Sequence, residues 1–206
     1  HSRNLGFERR LAGALEGEVR FDAFTRGRYA TDASIYQILP QGVAFPKSEA
    51  DIAAALTIAA EHGVPVIARG GGTSQNGQPI GDGLVLDLSR HFNGIRDYDP
   101  QARTVSVAPG LVLEALNTRL RKEGLFFPVE PSTASRCTIG GMAGNNSSGA
   151  RSLRYGKMVD NVVALKAMFH DGEPFALGEG AISDNASPRA RDLMTGMLAL
   201  AGEHRE

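Results

Sequence analysis

Arg69-Gly70-Gly71-Gly72-Thr73-Ser74 is the stretch of sequence around which the chain is organised. It follows the apolar run 64–68, which the pattern predicts to be a buried strand. Because glycine has no Cβ, consecutive glycines allow positive φ angles and a close approach by another group. Successive free N–H groups in such a turn form a concave nest that suits phosphate oxygens. The stretch therefore predicts a phosphate-binding loop, and a flexible loop without a ligand is the alternative.

Two familiar phosphate-binding loops are excluded by the residues that follow. A P-loop requires Lys-Ser or Lys-Thr after its last glycine, and the GxGxxG fingerprint requires a helix directly behind it. Here a turn-rich stretch, 77–83, leads into the apolar run 84–88, which is typical of a strand. The glycine loop is therefore predicted to join two strands.

Composition places the chain among soluble globular proteins. Its 206 residues are 42% hydrophobic, which suffices for one large domain or two small ones. A net charge of -1 argues against binding to nucleic acid or to a membrane surface through bulk electrostatics. The single cysteine, Cys137, excludes an internal disulfide and a cysteine-based metal site, which favours a cytoplasmic setting. No apolar run is long enough to span a bilayer.

Residues 1–90 are predicted to form a small parallel α/β subdomain. Apolar residues at helical spacing predict an amphipathic helix near the start of the chain, with a buried face formed by Phe7, Leu11 and Leu15. A strand over 43–45 precedes a helix that Ser48 caps and Gly63 ends, with Asp51 at the reciprocal position of a capping box. The order strand, helix, strand predicts a βαβ unit whose second strand leads into the glycine loop.

Residues 91–178 are predicted to form a second subdomain of α+β type with a mostly antiparallel sheet. The pattern predicts a hairpin over 95–107, a helix from Pro109 to Gly124, a strand over 125–127 and two further strands over 162–169 and 175–177. Residues 179–206 are predicted to be a linker and a trailing helix whose apolar side needs a partner surface. The sequence is therefore interpreted as a piece of a longer protein.

The stretch 128–155 is long, rich in small polar residues and poor in periodicity. Such a stretch is uncommon in a compact domain unless it binds something. Its backbone amides and hydroxyls are predicted to line an extended polar ligand together with the glycine loop.

With both loops described, the sequence resembles the FAD-binding domain of the family named after p-cresol methylhydroxylase and vanillyl-alcohol oxidase. Within that family it is most similar to the bacterial flavin dehydrogenases of D-2-hydroxy acids, such as D-lactate and D-2-hydroxyglutarate. The matching motifs lie in the family's order at 32–36, 69–74, 84–90, 107–110, 138–141, 145–149, 151–156 and 160–162.

The resemblance implies an α+β fold of two subdomains and a set of cofactor-binding residues. It implies that the FAD pyrophosphate is held by Gly70, Gly71, Gly72, Thr73 and Ser74, with Gly77 and Gln78 beside it. It implies that the rest of the cofactor is lined by Pro131, Ser132, Thr133, Gly140, Gly141, Ala143, Ser148 and Gly149, with the backbone of Val162 at the adenine. Arg69 either pairs with a phosphate or braces the loop through carbonyl groups. Thr73 stands where covalently flavinylated relatives have a histidine, so the FAD is expected to be non-covalent.

The resemblance also implies a reaction, in which a hydride passes from a 2-hydroxy acid to the flavin. The electrons are then expected to leave to a quinone or another carrier, and an iron–sulfur cluster is expected only outside this chain. Family members complete the active site with a separate substrate domain, so no catalytic residue is assigned. The five histidines are scattered and predict no metal site. The expected location is the cytoplasm or the inner face of a membrane.

Two other functions fit the same loops. The first is a non-catalytic module that binds a different nucleotide or phosphate. The second is a scaffold that has lost its flavin. Ligand preference discriminates among the three, because FAD requires both loops to converge on one extended cofactor.

Overall fold

The computed structural model describes residues 4–178 and 187–204. Its first part is a four-stranded sheet with helices packed against it. The elements in chain order are α1 (Leu5–Ala14), β1 (Glu18–Arg20), α2 (Ala23–Arg28), β2 (Gly42–Phe45), α3 (Glu49–Glu61), β3 (Val66–Arg69) and β4 (Leu84–Asp87).

The sheet order is β1-β2-β4-β3, with β2 and β3 both parallel to β4 and β1 antiparallel to β2. The predicted parallel crossover is confirmed, with β4 inserted between its two strands. The prediction that the strand before the glycine loop is buried was wrong, because β3 is an edge strand and Ala68 is exposed. The fully buried strands are β2 and β4.

The main core lies between this sheet and the helices α1 and α3. The predicted face of α1 is confirmed, since Phe7, Leu11 and the adjoining Leu15 are all buried in this cluster. They pack with residues of α3 and of the interior strands, among them Ala55, Ile58, Leu84 and Leu86. The helix α3 therefore packs against β4, the strand that follows the glycine loop.

Asp51 fastens the start of α3 to two other segments. The predicted cap is confirmed, because the Ser48 side chain accepts a hydrogen bond from the Asp51 N–H. The Asp51 carboxylate in turn accepts from the backbone N–H groups of Glu16 (2.9 Å), Gly17 (2.9 Å) and Lys47 (2.8 Å). Burial would raise the pKa of Asp51, but these hydrogen bonds outweigh it and hold the pKa below its usual value.

The second part of the chain consists of two hairpins and several helices. The elements are β5 (Ile95–Asp99), β6 (Thr104–Val107), α4 (Leu113–Leu120), α5 (Ile139–Gly144), α6 (Ser152–Tyr155), α7 (Met158–Asn161), β7 (Ala164–Met168) and β8 (Pro174–Gly178). Both hairpins are antiparallel, as predicted. Within the described residues they form two separate sheets rather than one. The stretch expected to lack periodicity contains α5 and α6.

The strand predicted over 125–127 is absent from the described structure. Both backbone groups of Phe127 are bonded to one side chain instead. The Phe127 N–H donates to Asn117 Oδ1 over 2.7 Å, and Asn117 Nδ2 donates to the Phe127 carbonyl over 3.3 Å. The amide of a helix residue thus takes the place of a neighbouring strand.

The trailing helix α8 (Pro188–Glu203) is confirmed, and the predicted linker lies outside the described residues. Its first turn is docked on the β7–β8 hairpin, where Arg189 pairs with Asp171 and lies over the Phe169 ring. Its apolar side, formed by Leu193, Met197 and Leu200, is exposed. No helix in the described part of the chain is long and apolar enough to cross a bilayer. The division at residue 90 stays a prediction.

Candidate cofactor site

The glycine loop joins β3 to β4, as predicted from the sequence. Gly72 and Gly77 have φ angles of 64° and 74°, which is the left-handed region that glycine adopts without strain. Within the described residues, the N–H groups of residues 70–74 donate no backbone hydrogen bond. These donors are therefore available to a ligand, as the phosphate nest requires.

The glycine loop is in direct contact with the segment 136–138. A Cβ atom on Gly70 would lie 2.0 Å from Thr138 Oγ1, and one on Gly71 would lie 2.1 Å from the Arg136 carbonyl oxygen. Both distances are far below van der Waals contact. Only residues without a side chain allow the two loops to meet here, so these glycines are required by the seam between the loops.

A second link joins the two loops further along. Ser74 Oγ donates to Gln78 Oε1 over 2.8 Å, and Gln78 Nε2 donates to Asn145 Oδ1 over 3.0 Å. Residues from both predicted loops thus form one chain of hydrogen bonds. The two predicted loops are therefore adjacent in the fold.

Arg69 lies beneath the glycine loop and is bonded to carbonyl groups. Nη1 donates to the carbonyls of Tyr29 (3.4 Å) and Pro79 (3.3 Å), and Nη2 donates to the carbonyl of Thr31 (2.9 Å). Its guanidinium also lies 5.1 Å from the centre of the Tyr29 ring. These contacts support the bracing role among the two roles considered for Arg69.

A short strap, residues 31–36, runs alongside the glycine loop. The Ala33 N–H donates to the Ser74 carbonyl over 3.1 Å. The Tyr36 ring lies against Gly77, where an added Cβ would be 3.0 Å from the ring. Asp32 accepts from the Ser34 N–H through Oδ1, and its buried Oδ2 has no hydrogen-bond partner within the described residues.

Several predicted residues of the second loop have structural partners. The Thr133 carbonyl accepts from the N–H groups of Arg136 and Cys137, both over 2.8 Å, which closes a turn. The Gly140 N–H donates to the Pro109 carbonyl over 2.8 Å. The Gly149 N–H donates to Ser152 Oγ over 2.9 Å. These contacts fix the backbone of the second loop against the α4 and α6 regions.

The remaining predicted residues differ in exposure. Ser132, Gly141 and Ser148 are exposed, whereas Pro131 and Thr73 are half-buried. Ala143 and Val162 are partly buried against the core cluster around Leu113 and Met142. The side chains of Ser132 and Ser148 are therefore at the surface of the second loop. Ala143 and Val162 instead pack against the core.

Thr138 is the clearest residue that the predicted set omitted. It is 2% exposed, and its Oγ1 has no hydrogen-bond partner among the described residues. An unpaired buried hydroxyl is costly, and such atoms concentrate at functional sites. The hydroxyl lies between Gly70 and the start of α5, at the seam between the two loops. The unpaired hydroxyl and the free N–H groups together fit an extended anionic cofactor.

Other contributors were also missed, for a physical reason. Asn145 and Ala33 bind the glycine loop, but they lie 67 and 41 residues from their respective partners Gln78 and Ser74. Local spacing contains no signal for such distant pairs. Both residues do lie within motifs of the family resemblance, at 32–36 and 145–149, and the small polar composition of the second loop also pointed to Asn145.

Below the loop, Tyr29 Oη donates to Asp87 Oδ2 over 2.5 Å at the end of β4. Burial, together with the negative charge of Asp87, raises the pKa of Tyr29 well above its usual value. Asp87 also accepts from the backbone and side chain of Ser89. Tyr29 is therefore a neutral donor that anchors the end of α2 to the strand beside the loop.

The described residues contain no group of three or more histidine, cysteine or acidic side chains arranged to hold a metal ion. His62 and His204 lie at helix ends, where they cap α3 and α8. His170 lies beside Arg189 at the hairpin turn. These three histidines therefore lie at helix ends and at a turn.

The fold and the paired loops define a class, namely an α+β domain with a glycine-rich loop whose free N–H groups suit the phosphate groups of a cofactor. The family model described as an FAD binding domain matches residues 40–178. The chain belongs to this FAD-binding family, which confirms the fold, the family and the cofactor predicted from the sequence.

Curated relatives share this stretch with the chain. A D-2-hydroxyglutarate dehydrogenase of Pseudomonas putida is 42% identical over 174 residues, which cover 83% of this chain and 16% of the relative. The glycolate oxidase subunit GlcD of Bacillus subtilis is 35% identical over 193 residues, which cover 91% of this chain and 41% of the relative. The chain thus spans less than half the length of either protein.

Solved structures give the same fold. An alkyldihydroxyacetonephosphate synthase superposes with a TM-score of 0.75 at 21% identity, covering 88% of this chain and 37% of that one. A 6-hydroxy-D-nicotine oxidase from Arthrobacter nicotinovorans superposes with a TM-score of 0.70 at 25% identity, covering 80% of this chain and 36% of that one. The first likeness shows the fold alone.

Proposed function

We propose that this chain is the FAD-binding portion of a flavin-dependent oxidoreductase that oxidises a D-2-hydroxy acid, with FAD held non-covalently. The observation that carries the proposal is the contact between the glycine loop and segment 136–138, at Gly70 with Thr138 and Gly71 with Arg136. A ligand that follows this seam touches both loops. Such a shape suits an extended dinucleotide better than an isolated phosphate.

The chain's own groups have defined tasks in this proposal. The free N–H groups of residues 70–74 bind the pyrophosphate oxygens without requiring a charged side chain. The hydrogen bonds from Ser74 through Gln78 to Asn145 keep the two loops at a fixed separation. The bound FAD supplies the hydride-accepting chemistry, while the protein binds and orients it.

The substrate assignment rests on the relatives. The names of D-2-hydroxyglutarate dehydrogenase and of glycolate oxidase subunit GlcD both refer to 2-hydroxy acids. We extend this substrate class to the complete protein. Its electron acceptor is proposed to be a quinone or another carrier, and its location the cytoplasm or the inner face of a membrane.

The first test is a titration of the purified chain with FAD, monitored by flavin fluorescence and thermal unfolding, beside FMN, NAD and ATP. A ligand at one hundred times its dissociation constant adds roughly 2.7 kcal/mol to the free energy of unfolding. We expect FAD to stabilise the chain more than the other ligands do. Equal stabilisation by ATP or NAD would favour the general nucleotide-binding alternative, and no stabilisation would favour the scaffold. Acid precipitation should release the flavin from the protein.

A matched pair of glycine variants locates the site. Gly71→Ala places a methyl group against the Arg136 carbonyl, whereas Gly27→Ala in α2 meets no atom within 4 Å. We expect Gly71→Ala to abolish the FAD-dependent stabilisation and Gly27→Ala to preserve it. Far-UV circular dichroism of both variants checks that each one is folded. Unchanged FAD binding by a folded Gly71→Ala variant would place the cofactor elsewhere.

A further inference from the structure

Arg69 is the only cationic side chain within the stretch 69–78, so it is the obvious residue to meet the pyrophosphate charge. Its hydrogen bonds, however, are made with carbonyl groups of the protein. Its two terminal nitrogens donate to the carbonyls of Tyr29, Thr31 and Pro79. Tyr29 and Thr31 lie where α2 leads into the strap, and Pro79 lies in the turn-rich stretch that follows the glycine loop. One guanidinium thus holds together the elements that surround the loop.

The space around Arg69 is also built for this arrangement. A Cβ atom on Gly72 would lie 2.6 Å from Arg69 Nη2, so the loop adopts its left-handed turn directly over the guanidinium. On another side the Tyr29 ring lies 5.1 Å away, and Tyr29 itself is bonded to Asp87. The side chain is therefore enclosed by the loop and by its own partners.

The charge of Arg69 is partly offset inside the protein. Burial lowers the pKa of Arg69, while the negative charges of Asp87 and Asp32 act in the opposite direction. The Asp32 Oδ2 atom is buried and has no hydrogen-bond partner among the described residues. The two carboxylates partly offset the cost of burying the guanidinium, and its hydrogen bonds go to carbonyl groups of the protein.

We propose that Arg69 is a positioning residue for the cofactor, which holds the glycine loop in its binding conformation through three carbonyl groups and makes no contact with the pyrophosphate. The inference rests on the proposed function, because it assigns a role within the FAD site. It has two consequences. A planar fork of donors is required at residue 69, so a point charge does not replace it. The affinity for FAD depends on loop order and not on the charge of this side chain.

The test compares Arg69→Lys and Arg69→Met with the wild-type chain and with Arg26→Met. Arg26 is a suitable control, because its Nε donates to the Pro40 carbonyl over 2.6 Å, and neither residue belongs to the glycine loop. A loop that is competent to bind for a tenth of the time weakens apparent affinity about tenfold. We expect both Arg69 variants to bind FAD at least about tenfold more weakly, and Arg26→Met to bind as the wild type does.

Three readouts distinguish positioning from a phosphate contact. In the positioning role Lys does not rescue affinity, and the slope of log Kd against log salt concentration is the same in Arg69→Met as in wild type. The visible circular dichroism of bound flavin is altered in both Arg69 variants. Recovery of affinity by Lys to within about twofold of wild type, or a shallower salt slope in Arg69→Met, would overturn the inference.

A ligand-free measurement separates this inference from the proposed function. Amide hydrogen exchange reports local opening of the backbone. The hydrogen-bonded amides of Ala33, Asn76 and Gln78 report the order of the loop and the strap. Faster exchange at these amides in both Arg69 variants, with no change in Arg26→Met, supports the positioning role even if the wild-type chain does not bind FAD. Unchanged exchange at these amides overturns it, whatever the flavin titration shows.

Discussion

The two regions of the molecule differ in how deeply their strands are buried. In the first region, β2 and β4 are buried at every residue beneath α1 and α3. In the second region the strands form two separate two-stranded hairpins, and Leu165 on β7 is exposed. An isolated hairpin is marginally stable in water. The first region therefore supplies a rigid support, while the second presents loops whose order depends on what they touch. The candidate site lies where the two regions meet.

The largest effect is expected from a pair of truncations, one in each region. Phe7 is 1% exposed in the core of the first region, whereas Leu165 is 43% exposed on the β7–β8 hairpin. Phe7→Ala should cost about 3–5 kcal/mol because it leaves a cavity, and Leu165→Ala should stay within about 0.5 kcal/mol. Urea unfolding of both variants provides the measurement. Comparable losses would refute the contrast between the regions.

A smaller effect is expected at Asp51, which fastens α3 within the first region. Asp51→Asn should cost about 2 kcal/mol near neutral pH, since hydrogen bonds to a buried carboxylate are charge-assisted. The folded pKa of Asp51 lies below its ordinary value of 3.8. The carboxylate therefore contributes stability above that pH, and the contribution is lost as pH falls through the folded pKa.

Thermal unfolding from pH 7 to pH 2 tests this sign. The difference between wild type and Asp51→Asn should be constant above about pH 5 and shrink below pH 4. Asp171→Asn, on the exposed hairpin turn of the second region, is the matched control and should give a smaller difference at neutral pH. A difference in stability between wild type and Asp51→Asn that grows as the pH falls would contradict the role of the Asp51 carboxylate.

The smallest effect, of opposite sign, is expected where the regions meet. Thr138→Val removes a buried hydroxyl that has no partner in the described structure. The ligand-free variant should gain about 1 kcal/mol in stability, because the cost of the unpaired group disappears. Differential scanning calorimetry without ligand measures this gain. A loss of stability would show that the hydroxyl is satisfied in the folded chain.

The sequence predicted the parts of the fold that local chemistry specifies. Ser48 and Gly63 bound α3 because a side-chain cap and a left-handed glycine act within a few residues. The β5–β6 hairpin follows from alternating residues around Asp99-Pro100, where the Asp99 carboxylate accepts from the N–H groups of Gln101 and Ala102. The three glycines likewise predicted the loop between β3 and β4.

What the sequence did not predict depends on distant partners. The strand β1 has three residues and no alternation, and it is a strand because it pairs with β2. The apolar run 125–127 is typical of a strand, but the N–H and carbonyl groups of Phe127 are bonded to the Asn117 side chain. At the candidate site, the glycine loop and second loop were each found, whereas the Thr138 hydroxyl at their seam was not. Its role follows from an approach to Gly70 that only the folded chain contains.

The contact of Gly70 and Gly71 with Arg136 and Thr138 also sets an order of events during synthesis. A nascent chain that has emerged only to about residue 130 contains every strand of the four-stranded sheet, but not the segment 136–138 that contacts the glycine loop. Contacts between residues far apart in sequence form late, because long loops must close first. The capacity to bind cofactor therefore arises at the end of folding. Binding of the cofactor then indicates that both parts of the domain have folded and come into contact.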